Sequence, residues 1–173
     1  MYIGHAAAAL AAKRARASVG LLVLLVATYT PDWTDVGLCL ARGNPQPMLS
    51  HSIPAVALFA VVAFAIYGLG TRDWTGAAVL GAVVVSHYLL DLVTGSKPTW
   101  PGGPMVGLGW YAHPVLDFIA EGVVIVIGAL LYARTLPPRR RLWIDVSIIL
   151  GALLLLQLGI DLGHVLLKTL PKC

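Results

Sequence analysis

Long apolar runs separated by short polar segments follow one another along the chain. Five runs approach or exceed the length of about 20 helical residues that a membrane crossing requires, and a shorter alanine-rich run precedes them. The predicted helices are 5–12, 19–28, 53–69, 77–93, 114–132 and 142–165. Turn-forming residues occupy 42–47, 71–73, 95–109 and 137–138. The pattern predicts an all-α integral membrane protein, a compact bundle of about five transmembrane helices plus a short N-terminal helix.

Composition agrees with this class. Hydrophobic residues make up 58% of the chain and charged residues 12%, well away from the values of soluble domains. The 173 residues suit a single transmembrane helical domain, 1–173, since each crossing uses about 20 residues. The net charge of +4 lies mainly in short loops, which favours a role in membrane orientation over nucleic-acid binding. Cys39 and Cys173 lack the spacing of a zinc site or redox pair, and we interpret them as free thiols.

Lysine and arginine residues divide unevenly when successive loops are placed on alternate sides of the membrane. One side collects Lys13, Arg14, Arg16, Arg72, Arg134, Arg139, Arg140 and Arg141, and the other collects Arg42, Lys97, Lys168 and Lys172. Because positively charged loops stay in the cytoplasm, the first side is predicted to be cytoplasmic. The C-terminus and most of the polar candidate residues are then extracytoplasmic.

The most compact polar group closes the run 77–93. Ionisable side chains are costly inside a bilayer, so each is a candidate functional residue. His87 and Asp91 are four residues apart, which places them on one helical face where they can bind a single ion together. Ser86 is adjacent to them.

Further candidates lie at the ends of neighbouring runs. Asp32 and Asp35 follow Pro31, which is predicted to end the helix and leave both carboxylates in a turn. His51 stands at the start of the next helix, between two serines that are N-cap candidates. His5 lies near the start of the short first helix, and it reaches the others only if that helix is re-entrant or the site lies well inside the membrane.

Two stripes of titratable residues follow on the later helices. His113, Asp117 and Glu121 recur at every fourth position, and Asp161 and His164 are three residues apart. Such stripes line a polar interior, carry protons or ions, or hydrogen-bond to the ligands of a metal.

Four short motifs occur in order between residues 5 and 94. They are His5, Pro31-Asp32, His51-Ser52 and Ser86-His87-x-x-x-Asp91-x-x-Thr94. Their order and spacing resemble the bacterial membrane-bound metal-dependent hydrolases of the YdjM-like family, with a weaker likeness through the Pro/Trp-rich loop to Glu121. For such a chain we predict a multi-pass protein of the bacterial inner membrane, with its site at the extracytoplasmic end of the bundle.

The resemblance implies one or two divalent ions and five metal ligands. The implied ligands are His5, Asp32, His51, His87 and Asp91. The chain departs from the family in two places. The family often has Pro-Asp-x-Asp, whereas the second carboxylate here is one residue later, at Asp35; it also often has a His-Arg pair before His-Ser, whereas 44–47 contains no histidine.

A metal-dependent hydrolase is the predicted function. Imidazoles and carboxylates together favour zinc, with manganese or iron as alternatives. Such a metal activates water, and a site close to the membrane surface suggests a phosphoester or a lipid-type substrate among the membrane lipids. The candidate catalytic residues are Asp35, Asp117 and Glu121.

Two other functions stay open from the sequence. A small transporter or ion-handling protein would use the same polar residues as a pathway across the membrane, and a structural module would use them to fix helix packing. The cytoplasmic halves of the long runs are almost wholly apolar, which argues against a pathway. Packing alone seldom needs five histidines and carboxylates on neighbouring helix ends, so we favour the hydrolase.

Overall fold

The computed structural model describes residues 2–42, 49–137 and 144–166. These ranges hold seven α-helices and one short hairpin. The helices are α1 (Gly4–Ala15), α2 (Leu21–Thr28), α3 (Thr30–Arg42), α4 (Ile53–Thr71), α5 (Trp74–Thr94), α6 (Pro114–Ala133) and α7 (Ile144–Leu166). The loop 43–48 and the residues Arg139, Arg140, Arg141, Lys168, Lys172 and Cys173 lie outside the described residues.

Four of the described helices, α4 to α7, have the length and apolar composition to cross a membrane. The predicted all-α membrane bundle is therefore confirmed. The run 19–28, predicted as a further crossing, contains only α2. α2 has 8 residues, about 12 Å at the helical rise, and α3 begins two residues after its end. α2 is therefore too short to span a bilayer by itself.

Residues 30–42 form a helix where the sequence predicted a turn. The expectation that Pro31 leaves Asp32 and Asp35 in a turn is wrong, because Pro31 is the second residue of α3. Proline is well suited to that position, since the first helical amides have no partner inside the helix. Asp32 and Asp35 therefore lie three residues apart on one face of α3.

Small residues allow α1 to pack closely along α6. A Cβ added to Gly128 of α6 would lie 2.5 Å from the carbonyl oxygen of Ala7 and 2.6 Å from its Cβ. Ala6, Ala7 and Ala9 on α1 are buried. Close backbone approach through small residues is typical of membrane helices. This contact fixes the position of His5, which lies two residues before Ala7.

The other end of α1 is bound to the turn between α4 and α5. Asp73 caps α5 by accepting a hydrogen bond from the amide of Gly76 at 2.9 Å, and it accepts two more from the Arg16 guanidinium at 3.0 Å and 3.1 Å. These contacts hold the pKa of Asp73 below its usual value. The C-terminal ends of α1 and α4 and the N-terminal end of α5 are thereby joined at the basic end of the bundle.

The segment 95–109, predicted as a loop, contains a two-stranded hairpin. β1 (Lys97–Pro98) pairs antiparallel with β2 (Met105–Val106). The amide of Ile53, the first residue of α4, donates to the carbonyl oxygen of Thr99 at 3.0 Å. The hairpin is thus held against the start of α4, and its first strand follows the end of α5.

Cys39 is disulfide-bonded, and no cysteine among the described residues is a free thiol. The interpretation of Cys39 as a free thiol is therefore wrong, because spacing along a sequence does not reveal which residues the fold brings together. Disulfides persist in oxidising compartments.

Candidate metal centre

One ring nitrogen of His87 on α5 points into a polar cluster, and the other is hydrogen-bonded to the backbone. Its Nδ1 lies 2.7 Å from the carbonyl oxygen of Thr28, at the end of α2. A carbonyl oxygen can only accept, so Nδ1 carries the proton and Nε2 has a free lone pair. Metal-ligating histidines are oriented by hydrogen bonds of this kind. His87 is completely buried, so this lone pair needs a partner inside the protein.

His51 faces His87 from a 3₁₀ turn, Leu49–His51, which precedes α4. Its Nδ1 lies 2.9 Å from Oδ2 of Asp35 and 3.0 Å from Oγ of Ser50. The Asp35 carboxylate accepts from Nδ1, and Nε2 of His51 lies 3.1 Å from Nε2 of His87. Two imidazole nitrogens at this distance require a proton or a metal ion between them.

Two carboxylates complete a set of four inward-facing atoms. Oδ1 of Asp32 lies 3.1 Å from Nε2 of His51 and 3.6 Å from Nε2 of His87. Oδ2 of Asp91 lies 3.4 Å from each of the same two nitrogens. Ligands that stand about 2.0–2.2 Å from a tetrahedral zinc ion are roughly 3.3–3.6 Å from one another. The atoms of Asp32, His51 and His87, 3.1–3.6 Å apart, are therefore close to the spacing of ligands around one ion, and Oδ2 of Asp91 lies at a similar distance from both histidines.

His5 reaches the same centre from α1. Its Nε2 lies 3.1 Å from Oδ1 of Asp91, and its ring stacks on that of His87 with the centroids 3.8 Å apart. Nδ1 of His5 is buried and has no hydrogen-bond partner among the described residues. Buried polar groups of this kind are normally satisfied, so the atom points to a bound water or ion. The structure thus brings together all five side chains that the sequence singled out as ligands.

The centre lies part-way along α5, which explains how a short helix reaches it. At the helical rise, His87 is about 20 Å from Trp74, the first residue of α5, and about 10 Å from Thr94, the last. α1 is 12 residues long, about 18 Å, and runs between this depth and the basic end of the bundle. His5 therefore needs no full crossing to contact Asp91.

Side chains from α6 and α7 hold the first amides of α1. Glu121 accepts from the amides of Tyr2 and Gly4 at 2.6 Å and 2.9 Å, and Gln157 accepts from the intervening amide at 3.3 Å. The first amides of a helix lack partners within it and favour a nearby anion. Glu121, a catalytic candidate from the sequence, thus contacts the backbone directly before His5.

Lys97 adds a positive charge to the centre. The side chain is buried, and its Nζ lies 3.0 Å from Oδ2 of Asp91. The residue occupies the first strand of the hairpin, which carries it over the end of α5. Lysine is seldom buried unless it is paired. The ammonium therefore offsets part of the negative charge that two or three carboxylates bring to the cluster.

The centre is enclosed on most sides and opens beside α3. The side chains of His51, His87 and Asp91 have exposed fractions of 4%, 0% and 1%, whereas that of Asp32 is 38% exposed. Among the four inward-facing groups, Asp32 is thus the one that a molecule outside the protein can reach.

The described residues contain two groups of three potential ligands. One is His5, His87 and Asp91, and the other is Asp32, His51 and His87. His87 belongs to both groups, yet only its Nε2 is available, because Nδ1 is bound to the backbone. One imidazole nitrogen coordinates one ion, so the two groups cannot each hold an ion through His87.

The other polar residues of the sequence prediction lie away from these groups. Asp117 is buried, and its Oδ1 has no hydrogen-bond partner among the described residues. Asp161 is also buried, whereas His113 is exposed at the start of α6. Ser86 donates to a carbonyl oxygen three residues earlier, and the side chain of His164 lies outside the described part. The predicted stripes therefore do not extend the set of potential ligands.

Three residues of the centre escaped the sequence prediction. Thr28 contributes a backbone carbonyl, which no residue type identifies, and Gln157 is a single amide within an apolar run. Lys97 had a usable signal, since it is a lone charged residue in the loop that follows Asp91. Because Lys97 was counted among the loop charges that set orientation, it was not considered as a residue of the centre.

No protein-family model, curated protein or solved structure matches this chain. The likeness to the YdjM-like hydrolases stays a prediction that rests on the motifs between residues 5 and 94.

Proposed function

We propose that this protein is a membrane-embedded metal-dependent hydrolase of phosphoesters. One observation carries the proposal: carboxylate oxygens of Asp32 and Asp91, from two separate helices, lie 3.1–3.6 Å from the facing Nε2 atoms of His51 and His87. These four residues are the proposed ligands. Both histidines bond outward through Nδ1, to the Thr28 carbonyl oxygen and to Asp35, so both Nε2 atoms face the two carboxylates.

Zinc suits this donor set best, because the ligands are imidazoles and carboxylates with no thiolate. When bound, such an ion polarises a phosphoryl oxygen and lowers the pKa of a coordinated water to about 7. Hydrogen bonds to the Thr28 carbonyl oxygen and to the Asp35 carboxylate would hold the rings of His87 and His51 in position to bind the ion. His5 would hold the second oxygen of Asp91, and Glu121 would hold His5 in place.

The charges of the centre suit a phosphate group. Lys97 lies beside Asp91, so an incoming phosphate meets an ammonium as well as the metal-binding atoms. In the hydrolysis of a phosphate monoester, the bond from phosphorus to the ester oxygen breaks and a water oxygen bonds to phosphorus. One proton of that water goes to the leaving oxygen, so the products are an alcohol and inorganic phosphate.

The transport alternative has less support. No charged side chain occurs on α4, or between Trp74 and His87 on α5, or between Glu121 and the end of α6. A pathway for ions or protons would need polar groups through this half of the bundle. The polar groups instead concentrate around a single enclosed centre.

The first experiment is to measure metal content and turnover for the purified full chain in detergent. We expect about one zinc, manganese or iron ion per chain and hydrolysis of p-nitrophenyl phosphate or bis(p-nitrophenyl) phosphate. In His87→Ala, both metal and turnover should fall to background. His113→Ala is the matched control, since His113 is an exposed histidine outside the centre, and it should keep both.

Asp32→Asn provides a second variant in case His87→Ala fails to fold. This side chain is partly exposed and can lose its charge at little cost to packing. Metal and turnover that persist in both variants would overturn the proposal, as would a folded wild-type protein that binds no metal.

A further inference from the structure

An apolar groove lies between α2 and α4, with one residue of α5 in its lining. Its volume is about 370 Å³, within the range of about 300–1,000 Å³ for ligand sites. The groove is lined from α2 and α3 by Leu22, Val23, Val26, Ala27 and Thr30, and from α4 and α5 by Ala63, Ile66, Tyr67 and Leu80. Leu22, Val26 and Ile66 are 73%, 56% and 70% exposed, so the groove is open towards the lipid along its length.

The upper end of this groove lies next to the metal centre. Thr30 lines the groove and is two residues before Asp32, the exposed member of the centre. Ala27 also lines the groove, and its neighbour Thr28 donates to His5 and accepts from His87. The same stretch of chain therefore forms a wall of the groove and a support of the centre.

The groove offers little to a polar ligand. The hydroxyl of Thr30 is used within the helix, where it donates to the carbonyl oxygen of Val26 at 3.1 Å. The other eight lining residues are Leu, Val, Ala, Ile or Tyr. Such a surface fits a hydrocarbon chain, whereas the charged centre above it, with Lys97, fits a phosphate.

We propose that the substrate is a long-chain lipid phosphate, with its hydrocarbon tail in the groove between α2, α4 and α5 and its phosphate at the metal centre. The position of the headgroup rests on the proposed function, whereas the position of the tail rests on the groove. The tail would lie lengthwise along α2, and the phosphate would enter beside Asp32. Hydrolysis would release a long-chain alcohol into the bilayer and inorganic phosphate into water.

A photo-crosslinking experiment tests the tail position without requiring turnover. The purified full chain is mixed with hexadecyl phosphate that carries a diazirine in its chain, and with a matched hexadecanol probe that lacks the phosphate. We expect the phosphate probe to label α2 and the facing part of α4, and excess unlabelled hexadecyl phosphate to compete far better than butyl phosphate. The alcohol probe should label the same residues much more weakly.

Substitutions that fill the groove give the second arm. Ala63→Phe and Val26→Phe place a ring in it from opposite walls, and we expect each to reduce labelling about tenfold, since this displaces several buried methylene groups. Val61→Phe is the matched control, because Val61 is an exposed residue of α4 outside the groove. It should label like the wild type. Metal content is measured in every variant to show that the centre is intact.

The outcomes separate this inference from the proposed function. Labelling that is equal for the phosphate and alcohol probes, or unchanged in both groove variants, would show ordinary lipid contact and overturn the inference. Phosphate-selective labelling without hydrolysis of any phosphoester would support the groove and overturn the hydrolase. Hydrolysis of p-nitrophenyl phosphate that shows no preference for long alkyl phosphates would support the hydrolase and overturn the groove.

Discussion

Asp35 lies behind His51, on the side of the imidazole that faces away from the centre. Its carboxylate fixes the proton on Nδ1, so Nε2 is left to bind a metal. A carboxylate in this position orients the ring and makes it a better ligand. We therefore assign Asp35 to positioning, although the sequence made it a catalytic candidate.

Replacing Asp35 with alanine should weaken metal binding without removing a ligand. Outer partners of metal-bound histidines typically contribute 10–100-fold to affinity, so we expect a loss of about that size. Competition with a zinc chelator in detergent measures it. Asp145→Ala, at the start of α7 and far along the chain from the centre, should leave affinity unchanged. Equal affinity in Asp35→Ala and wild type would contradict the positioning role.

At the residue scale, spacing predicted some contacts and missed others for physical reasons. His87 and Asp91 share a helical face, so the interval of four residues was enough to place them together. His5 and Asp91 are 86 residues apart, and only the packing of α1 brings them within 3.1 Å. Their pairing came from the family resemblance, because no periodicity reports a contact between distant helices.

The contact between α1 and α6 fixes the position of α1 and therefore that of His5. Gly128 is placed against the backbone of Ala7, so an added methyl group would force the helices apart. Gly151 on α7 is also inside a helix, but a Cβ there meets nothing within 4 Å. The two glycines therefore form a matched pair.

We expect Gly128→Ala to lower thermal stability and metal retention, although it changes no side chain of the centre. Gly151→Ala should keep the metal and be neutral or stabilising by up to about 1 kcal/mol, the usual effect of alanine in a helix. Melting curves and metal content in detergent measure both effects. Metal retention in Gly128→Ala equal to that in Gly151→Ala would show that α1 is not held by this contact.

Helix boundaries were predicted well where an apolar run defines the helix, and they were missed where a helix mixes apolar and polar residues. α4, α5 and α6 follow the apolar runs to within a few residues. α3 was missed because it mixes apolar residues with Pro31, Asp32 and Asp35. Proline was interpreted as a helix end, although the same residue is equally suited to a helix start.

On the scale of the whole molecule, α4 to α7 are each long and apolar enough to cross a membrane, and the polar residues separate into two ends of the bundle. The centre lies near the start of α4, the end of α5 and the end of α1 that carries His5. Arg16 and Asp73 mark the opposite end. By the distribution of positive charges, the end with the centre is predicted to be extracytoplasmic.

Reporter fusions test this orientation in cells. Alkaline phosphatase fused after Leu166 should be active, because α7 returns the chain to the side of the centre, whereas a fusion after Thr135 should be inactive. A green fluorescent protein series should give the reverse pattern. The opposite result would invert the predicted orientation, and activity at both positions would contradict an alternating arrangement of α6 and α7.

The membrane class and the helical bundle follow from composition and run length, which is why the sequence predicted them. The short lengths of α1 and α2 do not, because hydrophobicity alone does not distinguish a helix that crosses from one that stops inside a bundle. Tertiary contacts, such as the hydrogen bond from the amide of Gly4 to Glu121, determine where such a helix lies in the bundle.

The binding of the first α1 amides has a consequence for biosynthesis. Gly4 is separated by 117 residues from Glu121, and Ile3 by 154 residues from Gln157. Residues 2–4 leave the ribosome before α6 and α7 are made, yet the side chains that hold these residues belong to α6 and α7. The segment before His5 is thus fixed only after both helices are synthesised, and we expect metal binding at the proposed centre to follow their entry into the bilayer.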